Sequence, residues 1–346
     1  MLEPAFADRV SSSPGPFPVE LDLAADLVRL LYLSEEDYCS ASFLDARLIN
    51  PGSRVEWRPW EEVSEAASGL KARCHFIFHI SHVGSTLLSR LLGQHKCLFS
   101  LREPSMLRTI TEIHWLLGDR RCVWNRADFD KRLFVFLALW SRTFRPDQVA
   151  VIKASSVVSE MSSRLLQMVA AARAVFVTVP PHTFLQSLLG GKISDIASRS
   201  AARSLRLQRR LGDAQWQVAS LSPGETVAMS WLCEVLALRE AASQAPDRAI
   251  WLDFDRFLDE PRRTLLSVFQ HLGVDAEDET VDDVLAGPTM RRHSKSPERY
   301  FDAQMRSELL KRAEREHSVE IRKGLAWLEH LAAAQPLVAD ALVANG

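Results

Sequence analysis

Residues 75–92 read HFIFHISHVGSTLLSRLL. The short apolar run from His75 to Ile80 enters a loop holding Gly84, Ser85 and Thr86, and an amphipathic segment with Leu87, Leu88, Leu91 and Leu92 on one side leaves it. A buried strand feeding a helix through such a loop is the geometry that collects an anion. The loop amides point inward, the helix N-terminus adds partial positive charge, and the hydroxyls supply further donors. At Gly84 a missing Cβ lets the backbone approach phosphate oxygens closely.

The loop departs from the Walker A pattern, which requires GxxxxGK followed by Ser or Thr; here one Gly precedes Ser-Thr and no Lys follows. An ordinary strand-loop-helix unit with a small-residue cap is the bland reading of this stretch taken alone.

The stretch resembles the 5′-phosphosulfate loop of sulfotransferases, in which an apolar strand runs into a basic residue, a small residue and Gly-Thr/Ser-Thr. Aligned on Gly84, His82 falls where that family usually carries Lys or Arg, and His is only partly protonated near neutral pH. Further motifs follow in the same order. LREP (Leu101 to Pro104) is similar to the segment in which tyrosylprotein sulfotransferases hold a catalytic glutamate, so the resemblance implies Glu103 as base. VIK (Val151 to Lys153) resembles the strand that delivers a Lys to the transferring group. WLDFDRFLDEP (Trp251 to Pro261) is similar to the family's late strand, with Asp255 at its acidic position. The resemblance covers roughly residues 73–300 and implies a P-loop sulfotransferase-like fold. The implied donor is 3′-phosphoadenosine 5′-phosphosulfate (PAPS). Its contacts would be His82, Val83, Gly84, Ser85, Thr86 and Leu87 from the loop, then Ser187, Arg203 and Lys295. Glu103, Lys153 and His82 are the implied catalytic residues.

One family feature is altered. Sulfotransferases usually follow a central strand with Arg-Asp-Pro and a later Ser that grip the donor's 3′-phosphate. Here, aligning VFVTVPPHTFLQSLL on Pro181 keeps Ser187 but puts Val179 in the Arg position, and valine cannot bind phosphate. Lys192, Arg199, Arg203 and Arg206 are nearby replacements. The last three share a helical face, although such a row is also what a solvated helix surface looks like. The polar segment Met290 to Phe301, which includes Lys295, reads as an irregular lid or a surface loop.

The chain has 346 residues, 47% of them hydrophobic, enough for one large α/β unit with an extension. A net charge of -2 argues against bulk attraction to nucleic acid or an anionic membrane. The five cysteines, Cys39, Cys74, Cys97, Cys122 and Cys233, lack CxxC or metal-binding spacing and suggest reduced thiols. With no secretory signal and no long apolar run, the expectation is a cytoplasmic protein.

Strands alternating with helices predict a doubly wound parallel sheet covered on both faces. The expected organisation is a mobile N-terminus (1–18), a helical N-terminal extension (19–70) and an α/β domain (71–335). Leu21 to Leu33 has a helical apolar pattern, and Trp57 and Trp60 are expected to cover the core. Strands are expected at His75–Ile80, Val149–Lys153, Ala174–Val179 and Ala249–Phe254. Helices are expected within Ile110–Trp140 and over Ile193–Gln217, Thr226–Ala245 and Pro261–Leu272.

Sulfuryl transfer passes through a loose transition state with charge on peripheral oxygens, and it calls for amide donors, cations and a base for the acceptor. The loop, Lys153 with His82, and Glu103 would supply these. Glu103 could equally pair Arg102 or Arg108, and Ser155 and Ser156 could aid Lys153 or cap the next helix. The expected activity is a sulfotransferase acting on a hydroxyl or amine of a small molecule or peptide. A kinase-like P-loop transferase using a nucleoside triphosphate, or a catalytically idle binding protein of the same fold, is the alternative.

Overall fold

A computed structural model describes residues 6–191, 198–212 and 216–344. The chain opens with helix α1 (Phe6–Ser12), followed by strands β1 (Pro16–Asp22) and β2 (Leu27–Tyr32). The helix expected over Leu21 to Leu33 is therefore a β-hairpin, with Asp22 opposite Leu27. Asp22 starts the turn by accepting the Ala24 and Ala25 N–H groups at 3.0 and 2.9 Å, and Asp26 takes a left-handed φ of 52°. Beyond the turn burial alternates, with Val28 and Leu30 inside and Leu27 and Arg29 half-exposed. That is a period of two, not of 3.6. The segment expected to be mobile contains α1 and buries Val10 and Phe17.

Helices α2 (Glu35–Ser40) and α3 (Trp60–Ala66) form the helical part of the extension, and strand β3 (Val55–Pro59) completes a three-stranded antiparallel sheet. A capping box between Ser34 and Asp37 starts α2. Trp60 is buried as expected. Trp57 is 43% exposed and lies against the Arg29 guanidinium.

The central sheet is parallel, in the order β5 (Leu98–Arg102), β6 (Val149–Lys153), β4 (Cys74–His79), β7 (Ala174–Thr178), β8 (Ala249–Asp253). Its inner strands are continuous apolar runs because both faces are covered. Phe76, Phe78 and Phe176 pack on one another at its centre. The switch point lies between β4 and β6: the chain leaves β4 toward β5 at one edge and leaves β6 in the opposite direction, toward β7. The loops at the C-terminal ends of β4 and β6 therefore diverge around a crevice, where ligands bind in such sheets. β5 is an edge strand, additional to the four expected from the sequence.

Helix α4 (Ser85–Leu92) follows β4 and packs against β4, β5 and β6. Helices α5 (Ser105–Trp115), α6 (Arg126–Trp140), α7 (Ser162–Met168), α8 (Pro181–Leu189), α9 (Ser200–Leu211) and α10 (Pro223–Gln244) follow in turn. Later come α11 (Phe254–Asp259), α12 (Pro261–His271), α13 (Asp278–Ala286), the hairpin β9 (Arg292–His293) and β10 (Ser296–Tyr300), then α14 (Ala303–Ala334) and α15 (Pro336–Ala344). Helix α14 crosses the start of α10 backbone to backbone: a Cβ on Gly224 would lie 1.9 Å from the Glu320 carbonyl oxygen. Only glycine allows that approach.

Candidate active site

The loop after β4 is strained. Ser81 and His82 hold φ of 84° and 53°, and Gly84 follows at 69°. Among the described residues only four non-glycines have positive φ, and three of them, Ser81, His82 and Glu103, lie around this crevice. Each costs about 1–2 kcal/mol, and strain of this kind gathers where function needs a fixed backbone. His79, at the end of β4, fixes the first turn: its Nδ1 accepts the Ser81 N–H at 3.0 Å. Burial, then the charges of Lys153 and Lys295, hold this imidazole well below its usual range, so it is neutral with its proton on Nε2. His79 did not stand out in the sequence, where it reads only as one more residue of an apolar run.

Gly84 differs from expectation. The space beside its Cα is filled by the Phe254 ring, and a Cβ would sit 1.9 Å from Phe254 Cε2. The glycine makes room for a side chain from α11 at this point, not for phosphate oxygens. At the start of α4, Ser85 and Thr86 are buried, and Thr86 Oγ1 has no hydrogen-bond partner among the described residues. The Val83 side chain is in the core, which leaves its backbone as the only part able to meet a ligand.

At the end of β5, Glu103 turns into the left-handed region, with φ 50°, and donates its N–H to the Lys153 carbonyl at 2.7 Å. Its carboxylate pairs with Lys153 Nζ. Neither Arg102 nor Arg108 is its partner: Arg102 reaches back to the Ala41 and Cys39 carbonyls, and Arg108 pairs with Glu112. Leu44 of the extension brackets Glu103, donating to the Arg102 carbonyl at 2.7 Å and accepting from the Ser105 N–H at 3.1 Å. Lys153 is 1% exposed. Burial lowers its pKa, partly offset by Glu103. Ser155 Oγ, two residues on, is buried without a partner among the described residues, and Ser156 opens a 3-10 turn.

A cavity of about 440 Å³ opens from the loop, lined by His82, Gly84, Leu87, Ser187, Phe254, Arg292, Lys295 and Arg306. Arg306 lies over the Phe254 ring and pairs with Asp255 at 2.6 Å, which gives the acidic position of the late motif a holding role. The β9–β10 hairpin, which carries the expected lid, is fastened by Arg90 Nε to the Ser294 carbonyl and by the Ser42 hydroxyl to the Lys295 carbonyl.

The arginine row on α9 lies elsewhere. Arg203 and Arg206 are buried and pair with Glu234, and Arg206 also pairs with Glu160. Arg203 does not line the cavity, and its charge is committed to Glu234. A helical face read as a phosphate grip is an internal ion-pair network because α10 supplies a buried carboxylate opposite it. Arg199 stands at the cap of α9, and Lys192 lies outside the described residues. Val179 is buried, its carbonyl accepting the Trp231 indole N–H at 3.0 Å.

No family model and no curated protein matches this sequence. In structure the chain is similar to a sulfotransferase domain from the curacin biosynthetic pathway, at 15% identity and TM-score 0.42, over 71% of this chain and 97% of that one. It is also similar to sulfotransferase STF9 from Mycobacterium avium, at 13% identity and TM-score 0.39, over 74% and 79% of the two chains. Mouse sulfotransferase SULT7A1, complexed with PAP, is similar at 12% identity and TM-score 0.34, over 79% and 94%.

Proposed function

We propose that this protein is a sulfotransferase that moves a sulfuryl group from PAPS to a hydroxyl or amine of a small molecule or peptide. The observation that carries the reading is the Glu103–Lys153 pair: a carboxylate and a buried ammonium from adjacent strand ends, beside a strained loop at the switch point of a parallel sheet. The residues fit an anionic donor. Thr86 and Ser155 hold buried hydroxyls unsatisfied among the described residues, Lys153 is a buried cation, and Ser187, Arg292 and Lys295 line the adjoining cavity. The last two are the candidates for the 3′-phosphate, since Val179 offers it no contact.

Bound PAPS would supply an activated sulfur whose bond to the phosphate oxygen breaks as the acceptor oxygen or nitrogen bonds to it. The protein's part is positional and electrostatic. Glu103 takes the acceptor proton. Lys153 turns its ammonium from Glu103 toward developing negative charge, and that exchange of partners frees the carboxylate as the base. His79, neutral and buried, keeps the Ser81 turn in place without adding charge.

The test is calorimetric titration with adenosine 3′,5′-bisphosphate against ATP with magnesium. Binding of the bisphosphate, with at least tenfold weaker binding of ATP, is the expected result. The reverse preference would point to a kinase-like transferase.

A further inference from the structure

Toward the C-terminal end of α4, with no lining residue shared with the donor cavity, lies a second cavity, of about 340 Å³. Its walls are α2, the end of α4, β5 and the turn at Pro288 and Thr289. Its lining carries three cations, Arg90, Arg102 and Arg145, against one carboxylate, Glu35, which already pairs with Arg145 at 2.8 Å. Arg90 and Arg102 form no ion pair among the described residues and rest on backbone carbonyls and the Ser42 hydroxyl. Buried charges are ordinarily paired, because an uncompensated one is costly.

Arg142 is also buried and unpaired, but all three of its side-chain nitrogens donate to carbonyls, those of Leu139, Val10, Ser13 and Pro16. Among the described residues Arg102 donates through Nε and Nη2 only, to Ala41, Tyr38 and Cys39, so its Nη1 takes up none of these carbonyls, and Arg102 lines the cavity. Burial, with the Arg90 charge adding to it, pushes the Arg102 guanidinium down to about 10. Two guanidiniums repel each other across a space that contains no free carboxylate.

We infer that this cavity binds a small oxyanion, seated between Arg90 and Arg102 with Arg145 at the rim. The site is distinct from the donor pocket and does not depend on the sulfotransferase reading. An occupant there would touch the residue that precedes Glu103 and the arginine that holds Ser294, one residue before Lys295.

Cys39 lines the cavity and is exposed, so it reports occupancy directly. The experiment measures carboxamidomethylation of Cys39 by iodoacetamide, read by peptide mass, with and without inorganic sulfate or phosphate. Sodium chloride matched for ionic strength is the control, and Cys122, outside the cavity, is the internal standard. At saturating oxyanion the Cys39 rate should fall at least tenfold while Cys122 is unchanged. In Gln148→Glu the protection should vanish. The Gln148 side chain lines the cavity and accepts the Arg145 N–H, a bond that a carboxylate keeps while supplying the missing negative charge. Arg145→Gln, at a half-exposed rim position, removes a cation and releases Glu35, and it should also lose protection. Absence of protection in the native protein, or equal protection in both variants, overturns the proposal. The donor loop is untouched in both variants, so an anion bound only there gives the second result.

Discussion

Replacing Gly84 by Ala separates two reasons for a glycine at the mouth of the loop. The substitution meets two penalties. A φ of 69° costs an L-residue about 1–2 kcal/mol. The new Cβ also falls within 1.9–2.4 Å of three Phe254 ring atoms. Phe254 is 6% exposed and stacks on Phe257, so it cannot yield freely, and overpacking of this kind costs about 1–3 kcal/mol. The total is about 2–5 kcal/mol, measured by urea unfolding. In a Phe254→Ala background the second penalty disappears, and the same Gly84→Ala step should cost only the φ term. The coupling in this double-mutant cycle is therefore about 1–3 kcal/mol. A cycle that closes with no coupling would refute the packing reason and return Gly84 to the role of admitting a ligand.

Glu103→Gln should lower turnover about 100- to 10,000-fold while adenosine 3′,5′-bisphosphate still binds; near-normal turnover per folded molecule would make the pair structural. Lys153→Ala should lower turnover about 100-fold or more, with a smaller loss of donor affinity, since its contact strengthens as charge develops. Acid should destabilise the fold through His75, whose Nδ1 accepts the Arg173 N–H and whose pKa is pushed down to about 4 by burial and then by the Arg173 charge. Between about pH 6.5 and 4 the unfolded chain binds a proton that the folded one refuses. The stabilisation is complete above that window and lost as pH falls through it, about 2 kcal/mol by pH 5. His75→Asn, which keeps an acceptor for Arg173, should flatten that part of the urea-unfolding pH profile.

The parallel sheet was legible because buried strands are short apolar runs ended by turn residues, and four of its five strands lie within a residue of where the sequence puts them. β5 was obscured because Ser100 cuts its apolar run to two residues, where Val149–Lys153 has four in a row, before the buried Arg102 ends it. What lets the arginine stand there is the set of carbonyls at the end of α2, some sixty residues earlier. The hairpin at Leu21–Leu33 was misread because its leucines satisfy a helical period as well as an alternating one, and the Asp22 turn decides between them. Of the site, Glu103, Lys153 and the loop were visible as residues. That Glu103 pairs Lys153, and that Arg203 is consumed by Glu234, depend on which helices and strands face each other, which spacing alone does not encode.

The bracket that Leu44 makes around Glu103 bears on how this chain can be divided and recombined. Residues 19–70 look like an accessory in sequence, yet they hold the carboxylate in its left-handed turn from both flanks. A chain begun at residue 71 would keep the sheet and lose the constraint, so Glu103 could relax toward ordinary backbone and away from Lys153. Exchanges between related chains would keep the site only if the crossover carried the segment from Tyr38 to Leu44 together with β5. The heritable unit here is a contact between stretches some sixty residues apart, and neither the extension nor the sheet contains it alone.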